Sequence, residues 1–167
     1  MGELANLTGT DAIEKMKSIA DGQIGMFCTF TGGSAAETRP MATQGIDDDG
    51  TFWFFSMAEN RLNEEVEANP RVQLIYALPG SSEYLSVVGQ ATLLRDRDKI
   101  EQLWNPLAKT WFPEGKDDPR LLLVAVKPTG GQYWDTKNNK VVQTLKIALG
   151  AVTGKTMDDG VQGTLKA

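Results

Sequence analysis

Thr38-Arg-Pro-Met-Ala-Thr-Gln44, Asp47-Asp-Asp-Gly50 and Thr51-Phe-Trp-Phe-Phe-Ser56 form the stretch that decides how this chain folds. Arg39–Ile46 reads as extended, and the Asp-Gly that follows it is turn chemistry leading into an apolar run. Asp-Gly flanked by two such runs is a strong hairpin signal. Asn60 and Arg61 then open a short helix through Ala68, with Asn60 as the cap and Leu62 and Val66 on one face. Asn69-Pro70 ends it.

Working outward, period-two alternation dominates. Gln23–Thr31 is rich in β-formers, and Gly32-Gly33-Ser34 after it is a turn. Val72, Leu74 and Tyr76 alternate along one strand. Leu85, Val87, Gly89, Ala91 and Leu93 alternate along a longer one, with Gly89 marking a bend or bulge. Leu121–Lys127 reads as a buried strand, and Gln132–Asp135 extends the sheet after a Gly-Gly break. Helices are expected over 11–20, where Asp11 and Glu14 have capping-box spacing, and over 98–107, where Asp98 and Glu101 repeat it. Val141–Leu149 has the pattern of a short helix. The glycine-rich remainder of 138–167 is expected to be a loose tail, ordered by packing on a partner chain. About six antiparallel strands with helices at the edges predict one mainly β domain over 1–167, a closed or partly open barrel.

Composition narrows the function. The chain of 167 residues carries a formal net charge of −5, which argues against coating nucleic-acid phosphates or an anionic membrane surface. No stretch reaches the roughly 20 apolar residues of a membrane helix, and no basic, apolar leader opens the sequence. One cysteine, Cys28, excludes an internal disulfide, and the expected compartment is cytoplasmic. There is no histidine, so imidazole catalysis and His-ligated metals are absent. Gly154-Lys-Thr156 lacks the glycine spacing of a phosphate loop, and Asp47–Gly50 lacks the flanking carboxylates of a calcium loop. Neither metal nor catalytic residue is assigned.

The opening stretch still has a chemical logic. Two adjacent strands bring Arg39 and Ser56 near a helix N-terminus whose first turn contains Arg61. Two guanidinium groups, a hydroxyl and unpaired helix N–H groups suit a phosphate dianion. The backbone at Met41–Thr43 offers a ledge for a flat heterocycle. Spacing alone leaves open that Arg39 and Arg61 are independent surface residues.

From about Thr10 to Lys155 the chain resembles the general stress protein family of FMN-binding split β-barrels, relatives of pyridoxamine phosphate oxidase. The resemblance is carried by Arg39-Pro-Met-Ala-Thr, Phe52-Trp-Phe-Phe-Ser, Asn69-Pro-Arg-Val72, Leu85–Ala91, Trp111-Phe-Pro113, Asp118-Pro119 and Gln132-Tyr-Trp-Asp135. It implies an antiparallel Greek-key split barrel that binds FMN across a homodimer interface. In that frame Arg39 is a phosphate ligand, and Pro40, Met41, Ala42, Thr43 and Gln44 continue its strand beneath the isoalloxazine. Phe55 and Ser56 match an aromatic–Thr pair. Asn60 and Arg61 stand at the phosphate, with Leu62 where the family's lysine belongs, and Trp134 reaches the flavin from the second subunit. Gln44 replaces a lysine that holds the substrate phosphate in true oxidases, and Tyr84 replaces a glutamine near the flavin. Pyridoxine phosphate oxidation is therefore not expected. Three classes remain open: a stress-related FMN redox protein, a flavin-holding module without turnover, and a deazaflavin-dependent reductase.

Overall fold

The computed structural model describes residues 3–33, 35–136 and 160–166. Ten strands form one mixed sheet: β1 (Glu3–Leu4), β2 (Leu7–Thr8), β3 (Ile24–Thr29), β4 (Glu37–Ala42), β5 (Gly45–Ile46), β6 (Phe52–Met57), β7 (Arg71–Leu78), β8 (Glu83–Leu94), β9 (Leu121–Thr136) and β10 (Gly160–Lys166). Helices α1 (Gly9–Ala20), α2 (Arg61–Ala68) and α3 (Arg97–Leu103) lie between them. The fold is a split β-barrel.

The split comes from two strands that change partners. β4 pairs with β3, and two residues later β5 pairs with β6, so the opening stretch passes from one side of the barrel to the other. β9 is paired along its length with β8, while its other edge is shared: Leu121–Val126 takes β6 and Gly131–Thr136 takes β10. The expected Gly-Gly break is instead a β-bulge inside one continuous strand. Val88 faces Gly130 and Gly89 faces Pro128, leaving Thr129 extra. Gly89 is required there, because a Cβ would stand 2.6 Å from the Lys127 carbonyl oxygen.

Alternation along β6 and β9 sends side chains to two separate cores. Phe52, Phe54, Val124 and Val126 fill the barrel with Phe27, Leu74, Tyr76, Leu85 and Leu62 of α2. Trp53, Leu121 and Leu123 face outward, against Ile100 of α3 and Phe112. Both faces of Leu121–Val126 are thus covered within the chain. Burying side chains of this size stabilises the fold by about 1.5–3 kcal/mol each.

The helices differ from expectation at their ends. α1 begins before Asp11, so the Asp11–Glu14 pair lies inside its first turns rather than capping it. α3 is capped by Asp96, which accepts from Lys99 N at 3.0 Å, and it stops at Leu103. Pro106 disfavours helical backbone in the residue before it, and a short 3-10 turn over Pro106–Thr110 follows instead. α2 forms as expected, with Asn60 accepting from Leu62 N at 3.1 Å.

The C-terminal expectation fails for the described part of the tail. Gly160–Lys166 is a strand of the chain's own sheet, antiparallel to β9 and parallel to β1 and β2. Gly163 permits this closure, since a Cβ there would meet the Ala5 carbonyl oxygen at 1.9 Å. The helix expected over Val141–Leu149 lies outside the described residues. No described helix is long and apolar enough to cross a membrane.

Candidate functional site

β4 and its continuation form one wall of a groove of about 790 Å³. The whole run Arg39–Gln44 lines it, together with Phe55 and Met57 of β6 and Asn60 at the start of α2. The opposite wall is Asn105, Leu107, Ala108, Trp111 and Phe112, from the segment between α3 and β9. That segment is held on β6 by Phe55, whose ring lies 6.0 Å from Trp104 and 6.2 Å from Phe112. Lys99 of α3 also donates to both Asp47 oxygens at 2.9 Å and lies over the Trp53 ring, which itself donates to Asp47. The Asp47–Gly50 turn therefore does more than reverse the chain, because it anchors the helix that leads into the far wall.

At one end of the groove the charges gather on Glu65. This carboxylate is 4% exposed and accepts from Thr29 Oγ1 at 2.6 Å and from Arg39 Nη2 at 2.5 Å. Arg61 Nε lies 3.0 Å from its other oxygen, an ion pair without hydrogen-bond alignment. Burial pushes the Glu65 pKa up, but the bonds from Thr29 and Arg39 and the charges of Arg39 and Arg61 outweigh it and hold the pKa below the usual value. Arg39 Nη1 is buried with no hydrogen-bond partner. A buried guanidinium nitrogen left unpaired in a groove lining fits an incoming anion, since pairing it removes a desolvation penalty.

At the middle of the groove Thr43 is buried, sharing a 2.7 Å hydrogen bond with the Tyr76 hydroxyl, and its N–H is taken by the Gln23 carbonyl. Gln44 N donates to the Trp53 carbonyl at 2.8 Å. These backbone groups build the ledge and are spent on the fold.

A family model described as pyridoxamine 5'-phosphate oxidase like matches residues 11–158. The chain belongs to the pyridoxamine 5'-phosphate oxidase-like family. Among solved structures, a Jannaschia sp. CCS1 protein assigned to general stress protein 26 shares 25% identity at a TM-score of 0.76, covering 94% of this chain and 96% of that one. The general stress FMN/FAD binding protein of Xanthomonas citri shares 26% identity at a TM-score of 0.63, covering 78% and 89%. Protein bli-3 of Neurospora crassa is 25% identical over 127 residues, 71% of this chain and 61% of that protein. This chain therefore spans less than two thirds of that curated relative.

The remaining expected residues of this family member fall in other places. Ser56 is buried behind the groove, donating to Asn63 Oδ1 at 3.0 Å. Asn63 in turn donates to the Met57 and Ala58 carbonyls, so the hydroxyl helps hold the β6–α2 corner. Arg61 is 71% exposed at the α2 start, within 3.5 Å of Glu37 as well as on Glu65. Leu62 is fully buried and points into the barrel core. Trp134 stands opposite Tyr84 across β8 and β9, both half exposed and away from the groove of the same chain. Sequence reasoning passed over Glu65, Asn105, Leu107 and Trp111. Glu65 stands beside Glu64 in a charged stretch, and only its four-residue spacing from Arg61 points to an ion pair.

Proposed function

We propose that this protein is a flavoprotein that binds FMN in the groove and uses it to pass electrons to or from a small molecule. The observation that carries the reading is the unpaired, buried Nη1 of Arg39 at the end of the groove where α2 begins. The phosphate takes that end, with Arg39, Asn60 and Arg61 about it, and the isoalloxazine lies along Met41–Gln44. The flavin supplies the redox chemistry, and the chain supplies position and a dry, largely apolar wall. Arg39 is the one charged side chain in the lining, so the described residues offer no acid–base group there.

The site is shared between two copies related by a twofold axis. In support, Ile24 and Met26 of β3, Ile75 of β7, Tyr84 and Trp134 form an exposed apolar face on the outside of the sheet. Met26 is directly opposite Ile75, and Tyr84 opposite Trp134. Isologous contact through such a face brings Trp134 of one copy towards the groove of the other.

Absorbance of the purified protein, with mass spectrometry of the released ligand, tests the reading. FMN is expected, at one per chain. A protein that stays colourless and shows no saturable FMN titration overturns it, and a bound deazaflavin replaces the cofactor assignment. Reduction of the bound flavin followed by turnover with an added acceptor separates a redox protein from a flavin-holding module.

A further inference from the structure

The end of the groove away from Arg39 is closed by a chain of amides whose polarity is fixed from both sides. Ala108 N–H donates to Asn105 Oδ1 at 3.2 Å, so Asn105 must turn its Nδ2 the other way, and Nδ2 donates to Gln44 Oε1 at 2.7 Å. Gln44 then presents Nε2 to the Ala42 carbonyl at 3.0 Å. A backbone donor at one end and a backbone acceptor at the other leave no freedom to flip either amide. Each NH₂ carries two hydrogens and has used one. Both residues line the groove, so this end holds two unspent donors, while Oδ1 of Asn105 and Oε1 of Gln44 each accept one bond and keep one lone pair, which further disfavours an anion.

The rest of that end is Leu107 and Trp111, the first 82% and the second 67% exposed. The charged lining residue, Arg39, belongs to the opposite end and is tied to Glu65. Apolar walls, a flat indole and unspent N–H donors select a particular chemistry. A neutral planar molecule with a carbonyl-type acceptor satisfies the donors, whereas a carboxylate or phosphate finds no countercharge among the described lining residues at this end and loses its hydration.

We propose that Gln44, Asn105, Leu107 and Trp111 form a substrate subsite for neutral, planar carbonyl compounds, with Asn105 and Gln44 as its specificity-determining residues. The inference rests on the flavin reading, which takes the Arg39 end for the phosphate and Met41–Gln44 for the isoalloxazine, so that Gln44 stands where cofactor and substrate meet.

The test is binding of three probes of similar shape to the full-length protein saturated with FMN. Coumarin has the plane and the carbonyl, naphthalene lacks the acceptor, and coumarin carboxylate adds a charge. Calorimetric titration is expected to give coumarin the tightest binding, about three- to tenfold tighter than naphthalene, the range of one or two neutral hydrogen bonds. Asn105→Ala and Trp111→Ala, each saturated with FMN, should weaken coumarin by about threefold or more and naphthalene by less for Asn105→Ala, while circular dichroism stays unchanged. Equal or tighter binding of the carboxylate, loss of coumarin binding through competition with FMN, or no coumarin binding overturns the subsite. A protein that takes no FMN defeats the flavin reading instead, and the probe order on the unloaded protein still decides the subsite.

Discussion

The buried carboxylate of Glu65 receives a 2.5 Å hydrogen bond from Arg39 Nη2, and this contact fixes the guanidinium of a residue that lines the groove, leaving its buried Nη1 without a partner. Glu65 is placed by α2 and Arg39 by β4, so the pair ties the helix to the strand that forms the proposed flavin ledge. Glu65→Gln keeps the shape and a partner for Thr29 but removes the charge. A hydrogen bond to a charged group contributes about 1.5–3 kcal/mol, and a loss of that order in urea unfolding is expected. The same contact gives a pH dependence. The folded pKa of Glu65 is depressed, so its stabilisation is complete above the unfolded value of about 4.3 and is lost as pH falls through that value towards the folded pKa. The urea midpoint of the parent should fall across this acid window more steeply than that of Glu65→Gln. Parallel acid limbs for the two proteins would contradict the assignment.

Arg39→Ala should weaken FMN about ten- to hundredfold, the equivalent of about 1.5–3 kcal/mol for a charge-assisted bond to phosphate. Arg61→Ala should weaken it less, because Arg61 is mostly exposed and a screened contact contributes less. Fluorescence titration of FMN with each variant checks both values. Unchanged affinity for both variants would remove the phosphate end of the groove.

Ile75→Asp places a charge opposite Met26 in the centre of the exposed apolar face. Light scattering of the parent at micromolar concentration should give twice the 18.2 kDa chain mass, and the variant should shift towards the single chain. A monomeric parent would rule out the shared site. Far-ultraviolet circular dichroism of the variant should be unchanged, since residue 75 points out of the barrel.

Loaded with FMN, the protein should form no pyridoxal phosphate from pyridoxine phosphate above background. Gln44 stands where true oxidases carry a lysine, and its amide is held by Asn105 and Ala42. Among the described residues, no cation other than Arg39 lines the groove to grip a second phosphate. Losing a charged contact costs substrate and transition state about equally, roughly 1.5–3 kcal/mol. Rates comparable to those of a true oxidase, measured side by side, would show that another cation reaches the substrate.

Much of this molecule is local, and the sequence alone determined that part. Period-two alternation made the strands, Asp47–Gly50 made the hairpin, and Asn60 started α2, because each depends on residues within a few positions of one another. The order of motifs from Arg39 to Trp134 was enough to indicate the split barrel. Only the tertiary structure decided where polar side chains spend their hydrogen bonds. Ser56 and Arg39 both belong to the opening stretch, yet one is consumed by Asn63 behind the sheet and the other keeps a buried nitrogen without a partner. Gln44 and Asn105 are 61 positions apart and meet because α3 is anchored on the Asp47 turn by Lys99. Gly160–Lys166 looks like a loose tail in isolation, and becomes a strand because the far half of β9 leaves an edge that β6 does not reach. Alternation specifies which face a side chain takes, but the partner on that face is set by closure of the chain over long separations.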